Sequence, residues 1–478
     1  EYRGSCHYWH SGQEEQQHND IKESIRGGRQ RILFVSPEAA CKSLLIVLFE
    51  LAKVGTLENV VLDEAHMVDE WGSEFRPYYQ ILSPILRSLR SLCPGANGIK
   101  CFLMSATFTD KSIDTVRGLF ASQDKPPVEI HGGFLRPEIQ YSVRKVAYIE
   151  YVNAVLTAAR LLPKPLIIYV IKPEEAESLS REILRCGTKR VNTFTGKTPD
   201  NKREELLKLW SAGEIDVMVA TSAFGMGVDK SNVRSILHAG VPTNMDTFYQ
   251  QVGRGGRDGY GCQSLLIYHP AQKDDAERLN SITLITAKLG AKRWSEMWRL
   301  GHEAEDVDRV LSLRAQHADQ RRSNTGNVMW NWKTLLLMER AGMIRLIMDE
   351  PDPPDWDPTA LEADNIKLRD QYFDVYYNQI KVNVLVGDLD GPSGWEGRFE
   401  EQRDLEYRRT SHGFLSLWMW ITQHHSRPLC AELAKFYTVT GILPEKVCGG
   451  CPGCRASGVE HEFIPTCGSH CHVRGVRN

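Results

Sequence analysis

Asp63-Glu64-Ala65-His66 follows directly on the short apolar run NVVL. An aspartate in that position can hold Mg²⁺ directly or through water, and the neighbouring Glu64 can orient and deprotonate an attacking water. The competing reading is that the two carboxylates cap the next helix. A second charged set lies in YQQVGRGGRDG, where Arg254 and Arg257, three residues apart, are expected on one helical face. Arginines so placed can neutralise charge developing on a transferred phosphoryl group. Taken alone, the same run also reads as a flexible basic turn. Just upstream, ATSAFGMGVDKSNVR supplies Gly225 and Gly227, which let backbone approach a ligand, and Asp229, which can bind a ribose hydroxyl.

The third set is made of thiols. Cys430, Cys448, Cys451 and Cys454 are spaced C-x17-C-x2-C-x2-C. Zn²⁺ takes four soft ligands in a tetrahedron, and C-x2-C hooks bring two thiolates to one ion with little backbone strain. Cys467, His470, Cys471 and His472 form a rival set, able to replace Cys430 or to make a second site. A further candidate, Gly196-Lys197-Thr198, matches the end of a phosphate-binding loop, G-x-x-x-x-G-K-[ST]. Its first glycine position is Val191, however, and Pro199 and Asp200 open a new helix just beyond, so an ordinary loop is expected there.

The elements that must carry these residues alternate. RILFVSPEAA, ENVVLDEAH and GIKCFLMSATF are short β-rich runs separated by helical stretches, the pattern of a parallel α/β sheet with its active residues at the carboxyl ends of strands. From about Arg136 the alternation restarts. PLIIYV, a helix over 173–185, RVNTF, a helix over 200–211, IDVMVAT, SILHAG and CQSLLIYH predict a second doubly wound unit. Two such lobes with a cleft between them suit a nucleotide-driven motor, since closing the cleft turns hydrolysis into motion. Beyond them, a helical stretch is expected over 271–320. NVMWNWKTLLLMERAGMIRLIMDEPDPP then reads as an amphipathic helix, a turn at Gly342 and a strand, an order that suits a winged helix or a plain packing unit. Trp418 and Trp420 are expected in the core.

With 478 residues, the chain suggests about three domains. Its hydrophobic fraction of 42% and charged fraction of 25% are those of a globular protein able to bury a core. A net charge of -3 decides nothing about polyanionic partners, which need a local basic groove and not a basic average. The longest purely apolar run is LLIVLF at 44–49, so no membrane span is expected. Twelve cysteines in a chain of this length do not form a disulfide scaffold, and a reducing compartment, cytoplasmic or nuclear, is expected.

Taken together, SPE at 36–38, the acidic box and SAT at 105–107 resemble motifs Ib, II and III of superfamily 2 helicases. WGSEFRP at 71–77 resembles the aromatic-rich loop of the RecQ family. AFGMGVDK and QQVGRGGRDG are similar to that family's motifs V and VI, and GFLRPEIQYSV at 133–143 looks like its domain-joining segment. The resemblance covers about residues 1–270. It implies two RecA-like lobes and assigns Asp63 to Mg²⁺, Glu64 to water activation, and Ser105 and Thr107 to coupling. It further assigns Asp229 to the ribose, Gln250 and Arg254 to coupling or phosphate contact, and Arg257 to the arginine finger. Gly227 falls in the same nucleotide-binding stretch. Trp71, Phe75 and Arg76 would meet DNA, the aromatic faces stacking on bases; by spacing alone, Trp71 and Phe75 also fit one helical core stripe. The four cysteines resemble the RecQ zinc module, with one residue more than usual between the first two. In the family that module precedes the winged helix, whereas here the candidate helix and wing come first.

The resemblance therefore implies an ATP-dependent DNA helicase or translocase, 3′ to 5′, using ATP and Mg²⁺, with a structural Zn²⁺ and with single-stranded and duplex DNA as partners. It places the phosphate loop upstream of SPE, in sequence preceding Glu1. The expected domains are 1–134 and 135–270 for the lobes, 271–427 for a mainly helical region and 428–478 for the zinc module. Two other readings compete: a nucleic-acid-binding module without its own hydrolysis, because no G-x-x-x-x-G-K-[ST] occurs in these residues, and an RNA helicase, because the acidic box is shared.

Overall fold

The computed structural model describes residues 6–69, 76–94, 98–121, 127–132, 134–225, 229–316, 324–387, 389 and 394–459. The chain forms two compact units, each assembled from separate segments. The first comprises 1–106, 111–127 and 283–407; the second comprises 107–110, 128–282 and 408–478.

In the first unit, strands β1 (Cys6–Tyr8) and β2 (Ile32–Phe34) pair in parallel, as do β3 (Asn59–Leu62) and β4 (Lys100–Leu103). The helix Glu15–Arg26 between β1 and β2 opens with a capping box from Glu14 and Gln17, and buries Ile21 and Ile25 against Trp9, Leu44 and Val47. The apolar run at 44–49 forms part of the helix Leu45–Val54 and not a strand. Leu45 and Phe49, one turn apart, are fully buried, and Gly55 at φ +78° ends the helix in the left-handed region.

The segment 283–407 builds a four-stranded antiparallel sheet within this unit. Its strands are β11 (His302–Ala304), β12 (Val307–Ser312), β13 (Ile344–Ile347) and β14 (Gln379–Val384), in the order β11-β12-β14-β13. The helical stretch expected over 271–320 therefore gives way to strand at His302. The expected helix, turn and strand are present as Asn324–Arg340, Gly342 at φ +67° and β13. The helix is not amphipathic along its middle, where Leu335, Leu336, Leu337 and Met338 are all buried. Four consecutive buried residues place it inside the unit, packed on more than one side.

The second unit carries a six-stranded, all-parallel sheet. Its strands are β5 (Ile139–Lys145), β6 (Leu166–Tyr169), β7 (Val191–Phe194), β8 (Val217–Ala220), β9 (Ser235–Ala239) and β10 (Cys262–Tyr268), in the order β5-β10-β9-β6-β8-β7. Every residue of β6, β8 and β9 is buried, which is why these strands read as unbroken apolar runs and not as alternations. Two cores lie against this sheet. One holds Val155, Ile168, Val219 and Leu237; the other holds Tyr141, Trp210, Phe248 and Trp420 together with Leu429 and the four cysteines at 430–454. Trp420 is fully buried in the core as expected, whereas Trp418 is only partly buried and packs against the edge of that core. Among the described residues, no helix is long and apolar enough to cross a membrane.

Candidate nucleotide and metal sites

In the first unit, β3 ends at Leu62 and delivers Asp63 and Glu64 at its carboxyl end. Ala65 N–H donates to Met104 O at 2.8 Å and Met104 N–H to Leu62 O at 2.9 Å, which continues the β3–β4 pairing past the strand ends. Asp63 accepts from Glu64 N–H at 2.9 Å, while Glu64 takes φ +49°, a conformation that non-glycine residues rarely adopt and that surrounding contacts must impose. The Glu64 carboxylate is half exposed. Its Oε2 lies 3.3 Å from His66 Nδ1, which is in turn 2.9 Å from Ser105 Oγ. Asp63, Glu64, His66 and Ser105 thus form one polar cluster at the ends of two adjacent parallel strands. The Asp63 side chain is turned back onto Glu64 N–H, just ahead of the five-residue 3₁₀ helix Ala65–Asp69. Arg76 is half-buried at the start of the helix Pro77–Leu92. Trp71 and Phe75 lie outside the described residues.

In the second unit, Gln250 donates to the buried Thr107 hydroxyl at 3.1 Å. The helix carrying Gln250 runs from Met245 to Val252 and ends at Gly253, so Arg254 and Arg257 sit in the turn that follows it and not on one helical face. The glycines explain the difference. A Cβ on Gly255 would lie 2.1 Å from Cys262 Sγ, and one on Gly256, at φ +60°, would lie 2.6 Å from Tyr260 O. The turn is pressed against β10 more closely than any side chain permits. Arg136 braces it, donating to Gly253 O at 2.7 Å and to Gly256 O at 2.8 Å. Sequence reading gave Arg136 no role, although it lies in the quoted joining segment.

The two arginines differ in setting. Arg257 donates to Gly253 O at 3.3 Å and pairs with Asp229 Oδ1 at 3.0 Å; Asp229 itself is 83% exposed. Arg254 lies deeper, and its Nε is buried with no hydrogen-bond partner among the described residues. Gly225 makes room for it, since a Cβ there would meet Arg254 Nη2 at 3.0 Å and Ser222 O at 2.9 Å. The adjacent Tyr169 hydroxyl donates to Phe224 O at 3.0 Å, and burial pushes its pKa up to about 12 against the opposing pull of Arg254. Behind the turn, His238 Nε2 contacts Gln251 Oε1 at 3.0 Å; burial holds this imidazole down to about 4. Gly227 lies outside the described residues.

Gly196-Lys197-Thr198 forms a loop between β7 and the helix Asp200–Ala212, as expected. Lys197 pairs with Glu174 at the surface, and Gly196 O and Thr198 O accept from Arg203. Its donors and acceptors are used locally.

The four cysteines at 430, 448, 451 and 454 are all buried, and their sulfurs lie within 4.8 Å of one another. Cys430 Sγ is 3.5 Å from Cys454 Sγ, and Cys448 Sγ is 4.0 Å from it. A tetrahedron with four bonds of about 2.3 Å has edges of ~3.8 Å, so the donor set fits one Zn²⁺. Leu429 N–H donates to Cys451 Sγ at 3.2 Å, a contact that favours the thiolate. Glycines permit the fold here too. A Cβ on Gly449 would meet Pro137 O at 2.7 Å and one on Gly453 would meet Pro428 N at 2.6 Å, while Tyr141 N–H donates to Gly450 O at 2.9 Å. The cluster is therefore seated directly on β5. The rival set Cys467, His470, Cys471 and His472 lies outside the described residues.

The acidic cluster on paired parallel strands and the all-parallel second sheet are those of α/β units with polar residues at strand ends, and the sequence matches helicase families. Residues 3–116 match the DEAD/DEAH box helicase family, and residues 149–259 match the helicase conserved C-terminal domain. Within that class the chain is RecQ-like. It is 32% identical to the RecQ-like DNA helicase blm-1 of Caenorhabditis elegans over 50% of this chain and 24% of that protein. It is 28% identical to the ATP-dependent DNA helicase Q1 of Rattus norvegicus over 61% of this chain and 45% of that one. Identity to the ATP-dependent DNA helicase RecQ of Bacillus subtilis (strain 168) is 30%, over 55% of this chain and 42% of the relative. The chain thus spans less than half the length of each of these relatives.

Proposed function

We propose that the chain serves an ATP-dependent DNA helicase or translocase of RecQ type, moving 3′ to 5′ on single-stranded DNA. Asp63 would hold Mg²⁺, Glu64 would activate the attacking water, and Ser105 with Thr107 and Gln250 would couple nucleotide state to motion. Arg254 and Arg257 would contact the phosphates and Asp229 the ribose. The observation that carries this reading is the glycine-built turn at 253–259. It holds one arginine whose Nε is buried and has no hydrogen-bond partner among the described residues, and a second paired with the exposed Asp229. An arginine released from an exposed aspartate loses little and gains a desolvated, charge-assisted contact to phosphate. ATP with Mg²⁺ supplies the phosphoryl chemistry; these residues position and neutralise it. Trp71, Phe75 and Arg76 would contact DNA.

The same proposal gives Cys430, Cys448, Cys451 and Cys454 a structural Zn²⁺, because the set is closed and buried and leaves no open position for a substrate. The domains follow as two lobes, 1–134 and 135–270, then 271–427 and a metal module at 428–478. The test is strand displacement by the full-length gene product on duplexes carrying a 3′ or a 5′ single-stranded tail. Unwinding of the 3′-tailed duplex only with hydrolysable ATP supports the reading. DNA binding without ATP-dependent unwinding or translocation would instead identify a binding module.

A further inference from the structure

Four charged side chains from four separate segments of the first unit meet in its interior. Asp69 Oδ2 lies 2.9 Å from Lys111 Nζ, and Asp69 Oδ1 lies 3.2 Å from Arg340 Nη2. Arg340 Nη2 is 2.6 Å from Glu406 Oε1, and Lys111 Nζ is 4.0 Å from Glu406 Oε2. Thr115 Oγ1 joins the set, 3.0 Å from Asp69 Oδ1 and accepting from Arg340 at 2.8 Å. Side-chain exposure is 0% for Glu406, 5% for Arg340, 8% for Asp69 and 20% for Lys111, so the first three charges are desolvated, and two of each sign balance. Such a group is held by geometry: it persists only while its partners stay in register.

Its position gives it a task. Asp69 closes the 3₁₀ helix that starts at Ala65, inside the acidic box. Lys111 and Thr115 lie in the first turns of the helix Asp110–Phe120, just beyond Ser105–Thr107. Both segments already meet at their near ends through His66 and Ser105, and the quartet ties their far ends to Arg340 and Glu406 of the 283–407 region. Buried Gln80 also holds the 3₁₀ helix, donating to Val68 O at 2.9 Å. Between these fixed points stands Glu64, in a backbone conformation its neighbours must impose.

We propose that Arg340 and Glu406 are positioning residues for the acidic box, through which the 283–407 region sets the orientation of Glu64 from inside the first unit. This rests on the reading of Glu64 as the water-activating group of an ATPase. The region is then part of the hydrolytic machinery as a brace, without touching nucleotide.

The experiment is steady-state ATP hydrolysis by the full-length gene product at saturating single-stranded DNA. Wild type is compared with the charge-balanced double variant Arg340→Met/Glu406→Gln and with Arg340→Lys. Thermal unfolding of each is followed in parallel. Removing one charge of each sign leaves Asp69 and Lys111 paired, so the double variant is expected to fold. Its kcat should fall about tenfold with KM for ATP within about twofold, because displacement of a catalytic group by a fraction of an ångström acts on turnover and not on binding. If the double variant is unfolded at assay temperature, Arg340→Lys, which keeps the charge and loses the planar fork, should lower kcat about threefold. Unchanged kcat in a folded variant would overturn the positioning role. No turnover in wild type would instead remove the ATPase reading on which it rests, so the two failures are distinguishable.

Discussion

The charge quartet of the first unit and the arginine turn of the second place the same residue types in opposite settings. Asp69, Arg340 and Glu406 are almost wholly removed from water, and each has charged partners fixed in register. The pair Arg257–Asp229 is reached by solvent on both sides, with Asp229 83% exposed. A desolvated charge cannot leave its partner without a large cost, whereas an exposed one exchanges partners at almost none. Burial, and not residue type, separates the quartet from the Arg257–Asp229 pair.

The largest expected effect breaks the exposed side of that contrast. Arg257→Ala should lower DNA-stimulated ATP turnover by roughly 10³ to 10⁵, the range for loss of an arginine finger. DNA affinity and the unfolding midpoint should hardly change; equal loss of turnover and DNA binding would remove Arg257 from the phosphate site. On the buried side, the single change Arg340→Met leaves the quartet with two carboxylates, Asp69 and Glu406, against the single cation Lys111. Denaturant unfolding should show a loss of about 3–5 kcal/mol, the usual result of orphaning a buried charge. A loss below about 1 kcal/mol would mean that the quartet is wetter than its geometry indicates.

His238 sharpens the comparison by pH. Its folded pKa is lowered to about 4 by burial from an unfolded value of about 6.5, so between these values the unfolded chain binds more protons than the folded one. Stability from this group is complete above about pH 6.5 and is lost as pH falls towards 4, by about 3 kcal/mol in all. His238→Gln should flatten that part of the stability profile; an unchanged slope would place the titration elsewhere. At the small end, Lys197→Ala should leave both ATP turnover and the unfolding midpoint unaltered, because Lys197 only pairs with Glu174 at the surface. A loss of nucleotide affinity in that variant would reopen the phosphate-loop reading of Gly196–Thr198.

Much of the second sheet was legible because it is parallel and covered on both faces. Runs such as LIIY and VMVA have no polar alternation to confuse, and the helix Pro173–Arg185 matches its predicted bounds. The cysteine cluster was legible from spacing alone. The setting of Arg254 and Arg257 was not: their spacing of three suggests a helix, but contacts of Gly255 and Gly256 with residues 260–262 force a turn. The strands at 302–304 and 307–312 were missed because they are short and mix charged with apolar residues, so neither period dominates; QIKVNV at 379–384 does alternate polar with apolar residues, and that signal was passed over. The quartet was invisible for a different reason: Asp69 and Glu406 are far apart in sequence, and an acidic residue gives no local sign that it will be buried.

Steady-state ATP hydrolysis by the full-length gene product, with and without single-stranded DNA, decides whether this chain serves a DNA-driven ATPase. Turnover should rise by about tenfold or more with DNA and disappear in Glu64→Gln. Turnover that ignores DNA, or that survives in Glu64→Gln, would contradict that role.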